Sequence, residues 1–304
     1  MDLTQLRREL AAVVAIPVAP FAEDGHLDEQ AFRRVLARMV DGGVRVLTPN
    51  GNTGEYYALS TAERCRVLDL TVELGHDRAV TMAGVGGSVP DAIEAAVHAR
   101  GAGAEAIMIH QPPHPYVSSA GWVEYHARIA ASVPELGVIP YLRNPAISGA
   151  DVAELARRSP NFVAVKYAVP DATCFARVRQ DSGDADLVWI AGLAELSAPG
   201  YFAYGATGFT SGLVNVAPRL SLDMHKALSS SDRDAALRLW ESIRPFEELR
   251  VGANSEHNVS IVKEALAQLS LCRRDVRPPI SVLPEALRAR VAACLAEWEL
   301  DAAA

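Results

Sequence analysis

The feature that most constrains this chain is a repeating beat. Apolar strand-like runs alternate with helix-patterned stretches eight times over roughly the first 230 residues. The runs at 13–21, 44–49, 79–85, 105–110, 138–142, 162–168, 187–191 and 205–211 are short and apolar on both alternating faces. That is the composition of parallel strands covered by helices on the outside. Between them, 27–40 places Phe32, Val35, Leu36 and Met39 at helical spacing before Gly42-Gly43, and Ser60-Thr61-Ala62-Glu63 forms a capping box. Further helices are expected near 90–100, 122–132, 150–158 and 172–181. Eight such βα units predict a closed (β/α)₈ barrel, the TIM-barrel architecture. An open doubly wound sheet is the alternative, and the lack of a G-x-G-x-x-G after the first strand weakens it. Beyond Leu213 the pattern is wholly helical, at 220–228, 235–249, 260–269 and 284–300. This exceeds one closing helix, so the expected division is a barrel over 1–230 and a C-terminal helical extension over 231–304, packed on the barrel.

Composition narrows the function. The chain has 304 residues, is 50% hydrophobic, and carries a net charge of −8 with no basic run. That balance argues against nucleic acid or an anionic membrane surface as partner. No run approaches the ~18 apolar residues of a membrane span. Four widely spaced cysteines without C-x-x-C read as reduced thiols, and eight histidines without H-x-x-x-H spacing offer no metal site. Arg7-Arg8 before the apolar 11–21 run loosely imitates a signal peptide. Pro17 and Pro20 interrupt that run, which reads better as a first strand. A cytoplasmic protein is expected.

The candidate chemistry starts from lysine scarcity. Of 29 Lys+Arg, three are lysines: Lys166, Lys226 and Lys263. The last two lie in helical stretches among polar neighbours and read as solvated. Lys166 lies in Phe162-Val163-Ala164-Val165-Lys166-Tyr167-Ala168, an apolar strand. An amine, unlike a guanidinium, can lose its proton and attack a carbonyl, so Lys166 is a Schiff-base candidate. The other reading is an ion pair with a buried carboxylate. Strand alternation puts Phe162, Ala164 and Lys166 on one face, with Ala164 leaving room beneath the lysine. Burial could lower its pKa by ~3 units from the ordinary ~10.4.

One strand earlier, Tyr141 can approach Lys166 and shuttle protons, and Arg143 on the same face can grip a carboxylate. After the second strand, Gly51-Asn52-Thr53-Gly54-Glu55 forms a turn whose amides and Thr53 hydroxyl can converge on a small anion. Asn52, Thr53 and Gly54 are its candidate contacts. The small-residue segment 205–212 leaves space inside the barrel, with Thr210 and Ser211 as further substrate contacts. Gly84, Gly86 and Gly87 read as a turn.

Taken together, Pro20-Phe21 with Asp24-Gly25, the 51–55 turn, Tyr141, Lys166 and the 205–212 segment resemble the dihydrodipicolinate synthase/N-acetylneuraminate lyase family of class I, Schiff-base aldolases. The resemblance implies an imine between Lys166 and a 2-oxo acid, with no separate cofactor. It also implies Tyr141 as proton shuttle, Thr53 and neighbouring amides on the carboxylate, and a homo-oligomer, dimer or tetramer. Dihydrodipicolinate synthases usually carry two threonines in the turn, an arginine five residues after the strand-five tyrosine, and a tyrosine after strand four lent across a dimer. Here those places hold Asn52, Ala146 and the Pro113-His114-Pro115 stretch. Tyr141-x-Arg143, Pro112-Pro113 and the 258–263 segment are more similar to 5-dehydro-4-deoxyglucarate dehydratases, where Arg143 would hold a distal carboxylate; Tyr167 departs from their usual aspartate. A pyruvate-type aldolase, a 4-hydroxy-tetrahydrodipicolinate synthase and a catalytically silent paralogue that binds a small acid stay open as alternatives.

Overall fold

The structure, a computed structural model, describes residues 1–183 and 185–300. Eight parallel strands pair in chain order and close, β8 returning to β1. They are β1 (Val13–Ala15), β2 (Val46–Leu47), β3 (Val80–Val85), β4 (Ala106–Ile109), β5 (Gly137–Leu142), β6 (Ala164–Tyr167), β7 (Val188–Ala191) and β8 (Gly208–Ser211). The (β/α)₈ expectation is borne out. Most strands are shorter than the apolar runs that announced them. The run after β1 contains Pro17 and Pro20, which lack the N–H that a ladder needs.

The barrel helices are α2 (Glu29–Asp41), α3 (Thr61–Gly75), α4 (Val89–Ala102), α5 (Ser119–Ser132), α6 (Gly149–Arg158), α7 (Ala172–Asp181) and α8 (Ala194–Phe202), each after its strand. Ser60 caps α3 as the sequence predicts, and Ser88 and Ser148 build the same box on α4 and α6. α8 had no clear helical signal. Its Gly200 and internal Pro199 are poor helix formers, so packing between the barrel and the C-terminal helices sets its conformation.

Ahead of β1 lies an unpredicted helix, α1 (Leu3–Leu10), capped by Asp2. Its Leu6 and Leu10 join Val14, Val46 and Val80 in the inner core, closing the barrel's N-terminal end. A Cβ on Gly137 would come within 2.3 Å of Leu6, so glycine makes room for that plug. The Arg7-Arg8 pair belongs to this helix, and Arg7 Nε donates to Asp186 O at 2.7 Å.

After β8 come α9 (Pro218–Ser229), α10 (Arg233–Ser255), α11 (Asn258–Gln268) and α12 (Glu285–Glu297). α10 packs on α8 and α9, and α11 packs on α10, α12 and the 52–54 turn. α10 breaks near its end: Gly252 is extended, while Ala253 and Asn254 are left-handed. Val251 before the break and Ser255 after it both border the C-terminal mouth of the barrel. No helix among the described residues is long and apolar enough to cross a membrane.

Candidate active site

The barrel mouth holds a cavity of ≈ 530 Å³, bounded by Lys166, Tyr141, Thr53, Arg143, Thr210 and Arg250 among others. Pairing of β5 with β6 sets Tyr141 opposite Lys166. Lys166 Nζ lies 4.2 Å from the Tyr141 ring centroid. Below it Ala164 belongs to the inner core with Ile139 and Ile190, while Val165 and Tyr167 face the helices. The predicted alternation therefore holds around the lysine. Phe162 and Val163 depart from it, Phe162 packing outward and Val163, expected with Val165 and Tyr167 toward the helices, packing inward, because the strand proper begins at Ala164.

Lys166 is 4% exposed, and its Nζ makes no hydrogen bond or ion pair with any described residue. Burial, with the Arg143 charge acting in the same direction, pulls its pKa from 10.5 to about 7. A large fraction of the amine is then neutral near pH 7. Burial raises the Tyr141 phenol above its ordinary value, and the neighbouring Arg143 and Asn52 side chains oppose that rise. Arg143 is exposed at the rim, its Cζ 6.0 Å from the Tyr141 ring centroid.

The 51–55 turn folds as a short 3₁₀ helix, Asn52–Gly54. Its supports are specific. Asn50 is left-handed, its side-chain amide donates to Arg64 O at 2.9 Å, and its carbonyl meets His110 Nε2 at 2.8 Å. Gly84 sits so close that a Cβ would lie 2.2 Å from Asn50 O, so it serves a close approach within β3 and not a turn. Burial lowers the His110 pKa to about 4, leaving it neutral. Thr53 and Asn52 border the cavity, and their backbone amides meet no backbone acceptor among the described residues. Two amides and a hydroxyl are thus available to an anion.

Two expected contacts need correction. The Gly54 amide donates to Gly51 O at 3.0 Å, closing the 3₁₀ turn, and Gly54 does not border the cavity. Its role is steric, since a Cβ there would lie 2.7 Å from Pro17 O. Ser211 borders the cavity, but its hydroxyl turns away, donating to Glu195 Oε1 at 2.5 Å and accepting from the Val214 amide at 2.9 Å. Thr210, its neighbour on the opposite strand face, is the residue that faces the cavity. His114 is exposed, with its Nδ1 accepting from the Tyr116 amide at 3.1 Å, and it does not reach this chain's own cavity.

The sequence reading missed the wall supplied by the C-terminal helices. Arg250 lines the cavity, buried, with its Nη1 on Glu247 at 2.6 Å and its Nη2 on Asn258 Oδ1 at 3.1 Å. Behind them Glu195 accepts from Ser211 and Ser221. Burial, reinforced by the Glu247 charge, pushes its pKa up to about 7. The available signal was helical phase: Glu247 and Arg250 lie four and seven residues after Ile243, on the face that Ile243 and Phe246 bury. The solvated reading of Lys263 is also overturned. Its stretch folds as α11, and Lys263 is fully buried in an ion pair with Glu55. Lys226 is exposed as expected.

Residues 9–298 match the model of the dihydrodipicolinate synthetase family. A probable 5-dehydro-4-deoxyglucarate dehydratase from Methylobacterium radiotolerans is 33% identical over 302 residues, 98% of each chain. A 4-hydroxy-tetrahydrodipicolinate synthase from Bartonella bacilliformis is 31% identical over 284 residues, 91% of this chain and 94% of the relative. Among solved structures, a dihydrodipicolinate synthase from Bacillus clausii superposes with a TM-score of 0.93 at 39% identity, covering 97% of this chain and 100% of the other.

Proposed function

The chain belongs to the dihydrodipicolinate synthetase family of class I aldolase-type lyases, and on that premise we propose that Lys166 forms an imine with a 2-oxo acid bearing a second carboxylate, leading to loss of water from a sugar diacid. The observation that carries the reading is the buried Lys166 amine, without a carboxylate partner among the described residues, in a cavity large enough for a sugar acid. Its neutral form attacks C2 of the substrate, forming the C–N bond and a carbinolamine. Expulsion of the C2 hydroxyl as water, with loss of the nitrogen proton, yields the imine. Tyr141, across from Lys166, moves the proton that the hydroxyl needs in order to leave.

The substrate's C1 carboxylate sits on the amides of Asn52 and Thr53 and on the Thr53 hydroxyl, with Thr210 on the opposite wall. Once the imine withdraws electrons from C2, a C3 proton can leave to give an enamine. Tyr141, having taken up the C3 proton, returns it to the C4 hydroxyl, which the enamine expels as water, and hydrolysis of the resulting imine frees Lys166. Arg143 at the rim holds the distal carboxylate, a charge-assisted contact that a monoacid cannot make. The Tyr141-x-Arg143 pair favours this reading over condensation of pyruvate with an aldehyde. Ala146 and the outward His114 stand where that condensation would need an arginine and a tyrosine. A cytoplasmic homo-oligomer working without cofactor completes the proposal.

The test is borohydride reduction in the presence of pyruvate or keto-deoxy sugar diacids, followed by peptide mass spectrometry and product analysis. The expected result is ligand mass on Lys166 with every 2-oxo acid, and turnover of diacids. At pH 9, Arg143→Ala should raise KM for diacids about tenfold or more while sparing the pyruvate adduct. Absence of any adduct overturns the imine. Binding without turnover, unchanged in Lys166→Ala, would identify a silent acid-binding protein.

A further inference from the structure

The buried pair Lys263–Glu55 takes no part in the chemistry above. Glu55 is the residue on which the 3₁₀ turn Asn52–Gly54 ends, in a left-handed conformation with φ 58°. Its side chain is 0% exposed, as is that of Lys263, and Lys263 Nζ donates to Glu55 Oε1. The second Glu55 oxygen accepts the Arg277 amide at 3.0 Å. Lys263 Nζ also donates to Asp275 O at 2.8 Å and stands 4.0 Å from the centre of the buried Phe21 ring. Arg277 covers that ring at 4.1 Å and binds Glu63, Ala58 O and Gly25 O. Every group of this cluster has its partner. The bonds to Glu55, Ala58 and Glu63 run between the turn's own neighbourhood and the C-terminal helical part, while the Asp275 bond lies within that part and the Gly25 bond reaches the segment after β1.

We propose that Lys263 and Glu55 are positioning residues: they fasten the carboxylate-binding turn to α11 and so fix the Asn52 and Thr53 amides relative to Lys166. The two amides belong to the 3₁₀ turn that borders the cavity and meet no backbone acceptor among the described residues, and the Glu55 amide closes that turn on Asn52 O at 3.0 Å. The Glu55 side chain, two residues from Thr53, is anchored by a helix more than 200 positions away in the chain. A buried charge pair has one low-energy geometry, and a shift of either partner leaves a charge unmatched. The barrel therefore holds the amine, while the C-terminal helical part holds the site for the acid. This inference rests on the proposed carboxylate role of the turn.

The experiment measures the pyruvate concentration that gives half-maximal borohydride trapping on Lys166, together with the maximal level trapped. Two variants are compared with the wild type. Glu55→Gln with Lys263→Met removes both charges at similar volume. Glu55→Asp keeps both charges but shortens the reach by one methylene. Displacement of the turn should raise half-saturation about ten- to a hundredfold, with full trapping recovered at saturating pyruvate. A structural role alone would lower the trapped maximum with the folded fraction and leave half-saturation unmoved, and that result overturns the proposal. Should the double variant fail to fold, Glu55→Asp decides the matter by the same two readings. No wild-type adduct at all would instead bring down the imine reading, and the positioning role with it.

Discussion

Lys166 stands at the barrel mouth among an aromatic ring, alanines and a second cation, whereas Lys263 lies in α11 against a carboxylate and a carbonyl oxygen. Both are almost wholly withdrawn from solvent, at 4% and 0% exposure. Desolvation opposes the charge on each. At Lys166 nothing answers it, and Arg143 adds to it, so the amine sheds its proton near pH 7. At Lys263 burial still lowers the pKa, but Glu55 acts against the drop and gives the ammonium an anion to rest on. Burial alone therefore does not make a lysine reactive. The missing carboxylate does, because an ion pair would hold the proton that nucleophilic attack requires to be gone.

Activity should separate the two lysines most sharply. Lys166→Ala is expected to abolish adduct formation and reduce turnover on the order of 10⁴-fold or more, the scale seen when a covalent nucleophile is removed. Residual imine on another residue would break the comparison. The next effect tests the ring across from the amine. Tyr141→Phe keeps the aromatic face but removes the phenol, so turnover should fall by about 10²- to 10⁴-fold while borohydride still traps pyruvate on Lys166. Loss of trapping as well would mean that the phenol positions the amine instead of moving protons.

Stability should change with opposite sign at the two positions. Lys263→Met leaves Glu55 buried without its counter-ion and should cost about 3–5 kcal/mol in denaturant unfolding. Lys166→Met removes a charge that the fold penalises. The folded pKa of Lys166 lies below its unfolded value, so the unfolded chain binds the extra proton between pH 7 and 10.5. The penalty is full below about pH 7 and fades as pH rises toward 10.5. At pH 6 the methionine variant should be more stable than wild type by up to about 5 kcal/mol, and the gain should shrink at pH 10. Equal signs for the two substitutions at pH 6 would show that both lysines are structural.

The barrel was legible because it repeats: eight apolar runs, each followed by a helix-patterned or turn-rich stretch, leave little room for another fold. Lys166, Tyr141, Arg143, Asn52 and Thr53 were legible for a related reason, since strand ends at the C-terminal mouth converge by topology. What escaped lies in pairings across long sequence distance. Lys263 looks solvated beside Glu264, and its partner Glu55 belongs to a turn two hundred residues earlier. Arg250 reaches the cavity because α10, packed on α8 and α9, brings its last regular turn to the mouth just before the break at Gly252. Ser211 was misassigned by reading a small-residue run as one face, when adjacent strand residues point to opposite sides.

The smallest effect isolates the second cation. The rate of adduct formation with pyruvate should rise with pH and level off above about 7, where an ordinary lysine would keep rising toward 10.5. Burial is the larger cause of that displacement and Arg143 the smaller. Arg143→Gln should therefore move the rising limb upward by less than about one unit, since the guanidinium sits exposed at the rim and water screens it. Near pH 6.5 the variant should form the adduct several-fold more slowly, by less than about tenfold, and match wild type at pH 9. Added salt should reproduce part of the shift in the wild type and little in the variant, because screening acts on the same charge that the substitution removes. A limb that stays in place would assign the lowered pKa to burial alone and leave Arg143 to substrate binding. A limb that falls would contradict the repulsion between the two cations on which the contrast with Lys263 is built.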